Sequence, residues 1–100
     1  MPEIEDEKVL YSIEYTNRFK KDVKLAGKRN LDISLLETAV EILATTGKLP
    51  REYKPHPLKG KYIGIMECHI TPDWLMTWKQ DDKKLILLFM STGTHSDLFK

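Results

Sequence analysis

The apolar run Leu85–Met90 constrains the fold of this chain more than any other stretch. Every residue in it is apolar, so a strand built from it has two apolar faces, which is typical of the most buried strand of a sheet. No apolar run in the chain approaches the roughly 20 residues needed to span a bilayer. The sequence therefore predicts a sheet-containing protein without a membrane span.

Length and composition predict one soluble domain. The chain has 100 residues, of which 41% are hydrophobic and 31% charged. Residues 1–8 are acidic, the reverse of a signal peptide, and we interpret them as a disordered leader before a single domain over residues 9–100. The lone cysteine, Cys68, cannot form an intrachain disulfide, which agrees with a reducing, cytoplasmic location.

Local patterns place a strand and two helices in the first half of the chain. Residues 9–15 alternate large and polar side chains and predict a strand. Helices are predicted from Asn17 to about Gly27 and from Ile33 to Thr45, and the short link between them predicts an antiparallel hairpin. The expected capping residues are Thr16, Asp32 and Gly47.

Three strands are predicted in the second half: Tyr62–Ile70, Trp74–Lys79 and Lys84–Ser91. The tight turns between them imply antiparallel neighbours. The proline-rich segment 49–61 before them cannot be regular for long. We therefore expect an α+β fold, in which an N-terminal strand and an antiparallel two-helix hairpin pack on a mainly antiparallel four-stranded sheet.

All three histidines lie in the second half and are predicted to converge. His69 and Asp73 flank a tight turn, where a carboxylate can orient an imidazole or take a proton, although such a pair is more often structural than catalytic. His56 lies between two prolines, in restricted backbone. His95 lies in the polar tail that follows the buried strand. The histidines lack the close pairs of zinc ligands, so no metal and no cofactor is predicted.

Charge and aromatic residues favour a polyanionic partner. The net charge is only +1, yet residues 15–61 are strongly basic, which fits a polyanion as well as a solvated helix face. Trp74 and Trp78 share one face of their predicted strand. We assign Trp78 to the core and Trp74, at the strand's mouth, to base stacking. Phe99 fits either base stacking or a plug that pins the C-terminus.

Three ordered blocks, Tyr53–Gly60, Glu67–Trp74 and Thr92–Phe99, resemble motifs of the YafQ-type toxins of the RelE superfamily. The segment Phe19–Lys24 is similar to that family's first helix, and the resemblance extends over nearly the whole chain from about Tyr11. It implies a RelE-like fold and a ribosome-dependent mRNA endoribonuclease, the toxin of a type II toxin–antitoxin pair. It also implies cleavage without a metal, in which the 2′-hydroxyl of the mRNA attacks the adjacent phosphorus and leaves a 2′,3′-cyclic phosphate.

The resemblance assigns roles by motif position. The implied catalytic residues are His56, His69, Asp73 and His95. The implied RNA-binding residues are Trp74 and Phe99. We add Lys54, Lys59 and Lys61, from the basic part of the chain, as further RNA-binding candidates. The implied partners are a cognate antitoxin, in a heterotetramer with two copies of each chain, and the ribosome with its mRNA, the basic face lying toward rRNA.

One position departs from the family pattern, and two other functions remain open. Many members carry an arginine where this chain has Met66, so one candidate for phosphate contact is lost. A toxin of the same superfamily could act by binding alone, as gyrase-directed relatives do, but the clustered histidines disfavour it. A plain RNA-binding module would bind in a salt-dependent way without cleaving.

Overall fold

The computed structural model describes residues 9–99, so the leader predicted at residues 1–8 lies outside the described residues. The predicted α+β class is confirmed, with two helices against a mainly antiparallel sheet. The elements are β1 (Ser12–Tyr15), α1 (Asn17–Lys28), α2 (Ile33–Thr46), β2 (His56–Pro57), β3 (Met66–Thr71), β4 (Trp74–Asp81), β5 (Ile86–Gly93) and α3 (His95–Leu98). The sheet order is β1-β5-β4-β3-β2, with β1 parallel to β5 and the other neighbours antiparallel.

The helix ends follow the predicted capping residues. The Thr16 hydroxyl accepts a hydrogen bond from the Phe19 amide at the start of α1, and the Asp32 carboxylate accepts one from the Ser34 amide at the start of α2. Gly47 ends α2 in the left-handed region, with a φ of 77°. These signals lie within a few residues of the ends that they set, which is why the sequence locates them.

Two strand predictions are wrong. The described sheet has five strands rather than four, because His56–Pro57 pairs with β3 as a short edge strand. The strand predicted to begin at Tyr62 begins at Met66 instead. Gly60 and Gly64 both have positive φ, and the chain between them forms a tight turn that leaves Ile63 80% exposed.

The core lies between the helices and one face of the sheet. Phe19 of α1 packs against Phe89 of β5, with ring centroids 5.7 Å apart, and both side chains are fully buried. Trp78 of β4 is 1% exposed, which places it in the core as predicted. Side chains alternate along a strand, so the residues between these core positions form the opposite face of the sheet.

The C-terminal segment is ordered by a short helix. β5 continues to Gly93, and α3 follows, with a capping box between Thr94 and Asp97. The guanidinium of Arg29 on α1 donates to the Asp97 carboxylate at 2.8 Å. This anchor holds in place the segment that carries His95. Within residues 9–99, no helix is long and apolar enough to cross a membrane.

Candidate active site

A polar row crosses the sheet face that lies opposite the helices. Strand register pairs His56 with Glu67, Glu67 with Thr77, and Thr77 with Ser91, so these four side chains share a face. The His56 end of the row opens into a cleft of about 680 Å³. The residues that line this cleft are His56, Glu67, His69, Pro72, Asp73, Leu75, Thr94, His95 and Ser96. The structure therefore brings all three histidines together.

The ring of His56 is held at both nitrogens. Its Nδ1 lies 2.8 Å from the carbonyl oxygen of Lys54, and its Nε2 lies 3.1 Å from Oε1 of Glu67. A carbonyl only accepts hydrogen bonds, so Nδ1 must carry a hydrogen. Lys54 adopts the left-handed region at a φ of 50°, a conformation that costs a non-glycine residue roughly 1–2 kcal/mol. Strain beside a held imidazole is characteristic of functional sites.

His69 lies next to His56, with the two ring centroids 6.3 Å apart. Its Nδ1 is 3.3 Å from the carbonyl oxygen of Pro72 and donates to it, which leaves Nε2 as the nitrogen able to accept a proton. Among the described residues, no hydrogen bond joins Asp73 to this ring. The ring is oriented by the backbone of the turn, and Asp73 is an exposed carboxylate of the cleft wall.

α3 brings His95 to the other side of the cleft, next to an aromatic pair. The exposed ring of His95 lies 4.9 Å from the ring of Phe99, which in turn meets Tyr62 edge to face at 5.1 Å. Phe99 is half-buried and also lines a smaller cavity of about 290 Å³ with Tyr62. Phe99 thus contacts both a site histidine and a second aromatic residue.

Trp74 does not lie in the cleft. Its side chain is 2% exposed on the core face of β4, and its indole Nε1 donates to the Thr92 hydroxyl at 2.8 Å. A base cannot stack on a ring that is covered on both sides. The predicted RNA-stacking role of Trp74 is therefore corrected to a core role.

The three candidate lysines are exposed but occupy different places. Lys54 lines a groove of about 210 Å³ that it shares with His69. Lys59 and Lys61 lie on the loop before β3, and the Lys61 ammonium sits 5.3 Å from the centre of the Tyr62 ring. Met66, where many family members have arginine, packs against the core on the face of β3 opposite Glu67. The substitution therefore removes no group from the cleft face.

Two residues of the site, Glu67 and Tyr62, were not predicted from the sequence. Glu67 bonds to His56, and its position two residues before His69 on one strand would have placed both on the same face. Tyr62 was assigned to a strand, which hid its contact with Phe99. The side chain of Cys68, between Glu67 and His69, lies on the opposite face of β3. Burial raises the pKa of its thiol to about 12, so it is not a nucleophile at neutral pH.

The fold and the cleft together define a class of protein: a small α+β protein with a histidine-lined site on the free face of its sheet, suited to acid–base chemistry. The sequence model of the family described as bacterial toxin of type II toxin–antitoxin system, YafQ, matches residues 11–100. The chain therefore belongs to the YafQ toxin family, and the resemblance found in its sequence is confirmed.

Individual relatives agree with this assignment. The mRNA interferase toxin YafQ of Escherichia coli K12 is 44% identical over 88 residues, which cover 87% of this chain and 94% of the relative. The YafQ fold in the crystal structure of the E. coli DinJ–YafQ toxin–antitoxin complex matches with a TM-score of 0.83 at 40% identity, covering 92% of this chain and 100% of that chain.

A metal-bound toxin from Helicobacter pylori is also similar, at 38% identity and a TM-score of 0.81, with 89% of this chain and 99% of that chain covered. In the part of this chain that the structure describes, no group of three or more His, Cys, Asp or Glu side chains is arranged to hold a metal ion. The residues present in the cleft do not form a ready-made metal site.

Proposed function

We propose that this toxin is an endoribonuclease that cleaves mRNA on the ribosome by internal attack of a 2′-hydroxyl. The observation that carries the proposal is the convergence of His56, His69, His95 and Asp73 in one open cleft. Histidine is the side chain whose ordinary pKa lies closest to neutral, so a histidine cluster can both accept and donate protons there. The relative in E. coli is named an mRNA interferase, which supports RNA as the substrate.

The geometry suggests a different chemical role for each of the three histidines. His69 donates from Nδ1 to a backbone carbonyl, so its Nε2 is available to take the proton of the attacking 2′-hydroxyl as the new bond to phosphorus forms. His56, held at both nitrogens, is suited to carry positive charge beside the phosphorane. His95 is exposed on the opposite wall and donates the proton that the departing 5′-oxygen needs.

The surroundings of the cleft suit an RNA substrate. Phe99, beside His95, offers an aromatic ring on which a base can be positioned. Lys54, Lys59 and Lys61 are exposed around the same half of the sheet and can pair with phosphates. RNA recognition of this kind combines ring stacking with phosphate contacts, and both groups of side chains are present here.

The partners follow from the family and from surface charge. α1 exposes four lysines along one side, and we propose that this basic face lies toward ribosomal RNA; they are Lys20, Lys21, Lys24 and Lys28. The solved DinJ–YafQ complex supports a cognate antitoxin for this chain, which we propose assembles as two copies of each protein. The toxin would then act in the cytoplasm, where ribosomes translate mRNA.

Primer extension on a translated mRNA, with and without ribosomes, tests the proposal. We expect cleavage only with ribosomes, and a loss of roughly 100-fold or more when His69 or His95 is replaced by alanine, because each removes a proton-transfer group. Lys83→Ala, on the turn after β4, is the control and should cleave normally.

Two results would contradict the proposal. Unchanged cleavage by both His69→Ala and His95→Ala would remove these histidines from the reaction. RNA binding that weakens with salt, without any cleaved product, would instead identify a plain RNA-binding module.

A further inference from the structure

Glu67 is a buried carboxylate that takes no part in the proton transfers of the proposed reaction. The residue is only 6% exposed, and its Oε2 has no hydrogen-bond partner among the described residues. A buried carboxylate with an unsatisfied oxygen is costly, and glutamate is rarely buried unless it is paired. Its presence on the cleft face therefore calls for a functional explanation.

The neighbours of Glu67 leave it one polar partner. Thr77 lies directly across from it on β4, but the Thr77 hydroxyl is hydrogen-bonded to Ser91 instead. Cys68 faces the core. In the part of the chain that the structure describes, the only side-chain polar contact of Glu67 is with Nε2 of His56 at 3.1 Å.

Hydrogen-bond rules fix how many protons this pair holds. Nδ1 of His56 is committed to donating to the Lys54 carbonyl. Nε2 and Oε1 can form a hydrogen bond only if one proton lies between them, since an unprotonated nitrogen and a carboxylate oxygen are both acceptors. An imidazolium beside a carboxylate meets this requirement and also compensates the buried negative charge.

We propose that Glu67 is a positioning residue: its buried carboxylate fixes the ring of His56 and stabilises its imidazolium form in the cleft. Its effect on cleavage rests on the proposed function, whereas its effect on the His56 proton does not. The other ionisable groups facing the same space are His69, at a ring distance of 6.3 Å, with His95 and Asp73 on the cleft walls. Glu67 is the carboxylate in direct contact with the ring.

Nuclear magnetic resonance of the histidine rings tests the proposal on the free toxin. In the wild-type chain, the His56 ring should carry a proton on Nε2, directed at Glu67, in addition to the one on Nδ1. In Glu67→Gln, the side-chain amide can still hold the ring, because its oxygen accepts from a protonated Nε2 and its NH2 donates to an unprotonated one, but the charge is gone. The Nε2 proton of His56 should then be lost at a lower pH than in the wild-type chain.

Glu41→Gln is the matched control, because it removes the same charge from an exposed position on α2 and should leave all three rings unchanged. A folded Glu67→Gln protein with an unmoved His56 transition would overturn the proposal. If that variant does not fold, the wild-type ring decides: a His56 ring without a proton on Nε2 over the pH range in which the toxin is folded would overturn it equally.

Cleavage provides a separate readout. The pH profile of ribosome-dependent cleavage should shift in Glu67→Gln in the same direction as the His56 ring, because a purely structural defect would lower the rate at every pH alike. If Glu67→Gln changes the protonation of His56 but the wild-type protein shows no cleavage, the ribonuclease function is refuted and the positioning role stands.

Discussion

The indole of Trp74 donates to the Thr92 hydroxyl, and that hydroxyl in turn donates to the Leu75 carbonyl at 2.6 Å. Trp74→Phe removes the first bond and some core volume, so the free energy of unfolding should fall by about 1–3 kcal/mol. Cleavage per folded molecule should stay close to wild type, since the ring is not in the cleft. Urea unfolding and the ribosomal cleavage assay measure the two effects.

Trp78→Phe serves as the comparison, because Trp78 is equally buried and also donates from its indole, to Gln80 at 3.0 Å. Both variants should lose stability to a similar extent. A Trp74→Phe protein as stable as wild type but defective in cleavage would restore the stacking role that its motif position suggested.

At single residues, the periodicity of a strand proved more reliable than position in a motif. Period-two spacing correctly placed Trp74 and Trp78 on one face, and both are core residues. The position of Trp74 at the start of its strand suggested an exposed side chain, but the helices cover that face of the sheet. The same spacing applied to Glu67 and His69 would have identified the carboxylate of the site.

Among the elements, the long helices could be predicted from local signals, whereas β2 and α3 could not. α1 and α2 were located because a capping residue marks an end within a few positions. β2 contains only His56 and Pro57 and exists because it pairs with β3, so no pattern within it could reveal a strand. α3 has a local signal as well, the capping box of Thr94 and Asp97, but it is only four residues long and is also held by a contact with α1, so the sequence predicted a polar tail there.

Asp97 is the residue through which α3 is anchored. The Arg29 guanidinium, together with the Thr94 backbone amide, holds the pKa of the Asp97 carboxyl well below its usual range. The folded state therefore favours the ionised form. The resulting stabilisation is fully present above the ordinary aspartate pKa of about 4, and it is lost as the pH falls below that value.

Asp97→Asn should consequently be less stable than wild type at pH 7, and the difference should shrink progressively as the pH falls below about 4. Cleavage at neutral pH should fall several-fold, because His95 and Phe99 lie on the loosened segment. Thermal unfolding across this pH range and the cleavage assay measure both effects. Arg29→Gln should reproduce the loss at pH 7; a stability difference that grows toward acid pH would contradict the argument.

On the scale of the whole molecule, the end of α2 is tied to the N-terminal segment and to the turn after β4. Gly47 ends α2, and its carbonyl accepts from the Gln80 amide at 2.9 Å. The buried ring of Tyr11 packs against Gly47, and its hydroxyl donates to Asp82 at 2.7 Å. This junction lies outside the cleft, so it should govern stability without governing chemistry.

Gly47→Ala tests that separation. An added Cβ would lie 2.7 Å from the Tyr11 hydroxyl oxygen, and the φ of 77° disfavours any side chain, so the free energy of unfolding should fall by about 2 kcal/mol or more. Gly27→Ala is the matched control, because Gly27 lies within α1 and a Cβ there meets nothing within 4 Å. That change should stabilise the protein by about 0.5–1 kcal/mol. Urea unfolding should give opposite signs for the two variants, while their cleavage per folded molecule should be equal. Reduced cleavage by folded Gly47→Ala would mean that the junction also positions the site.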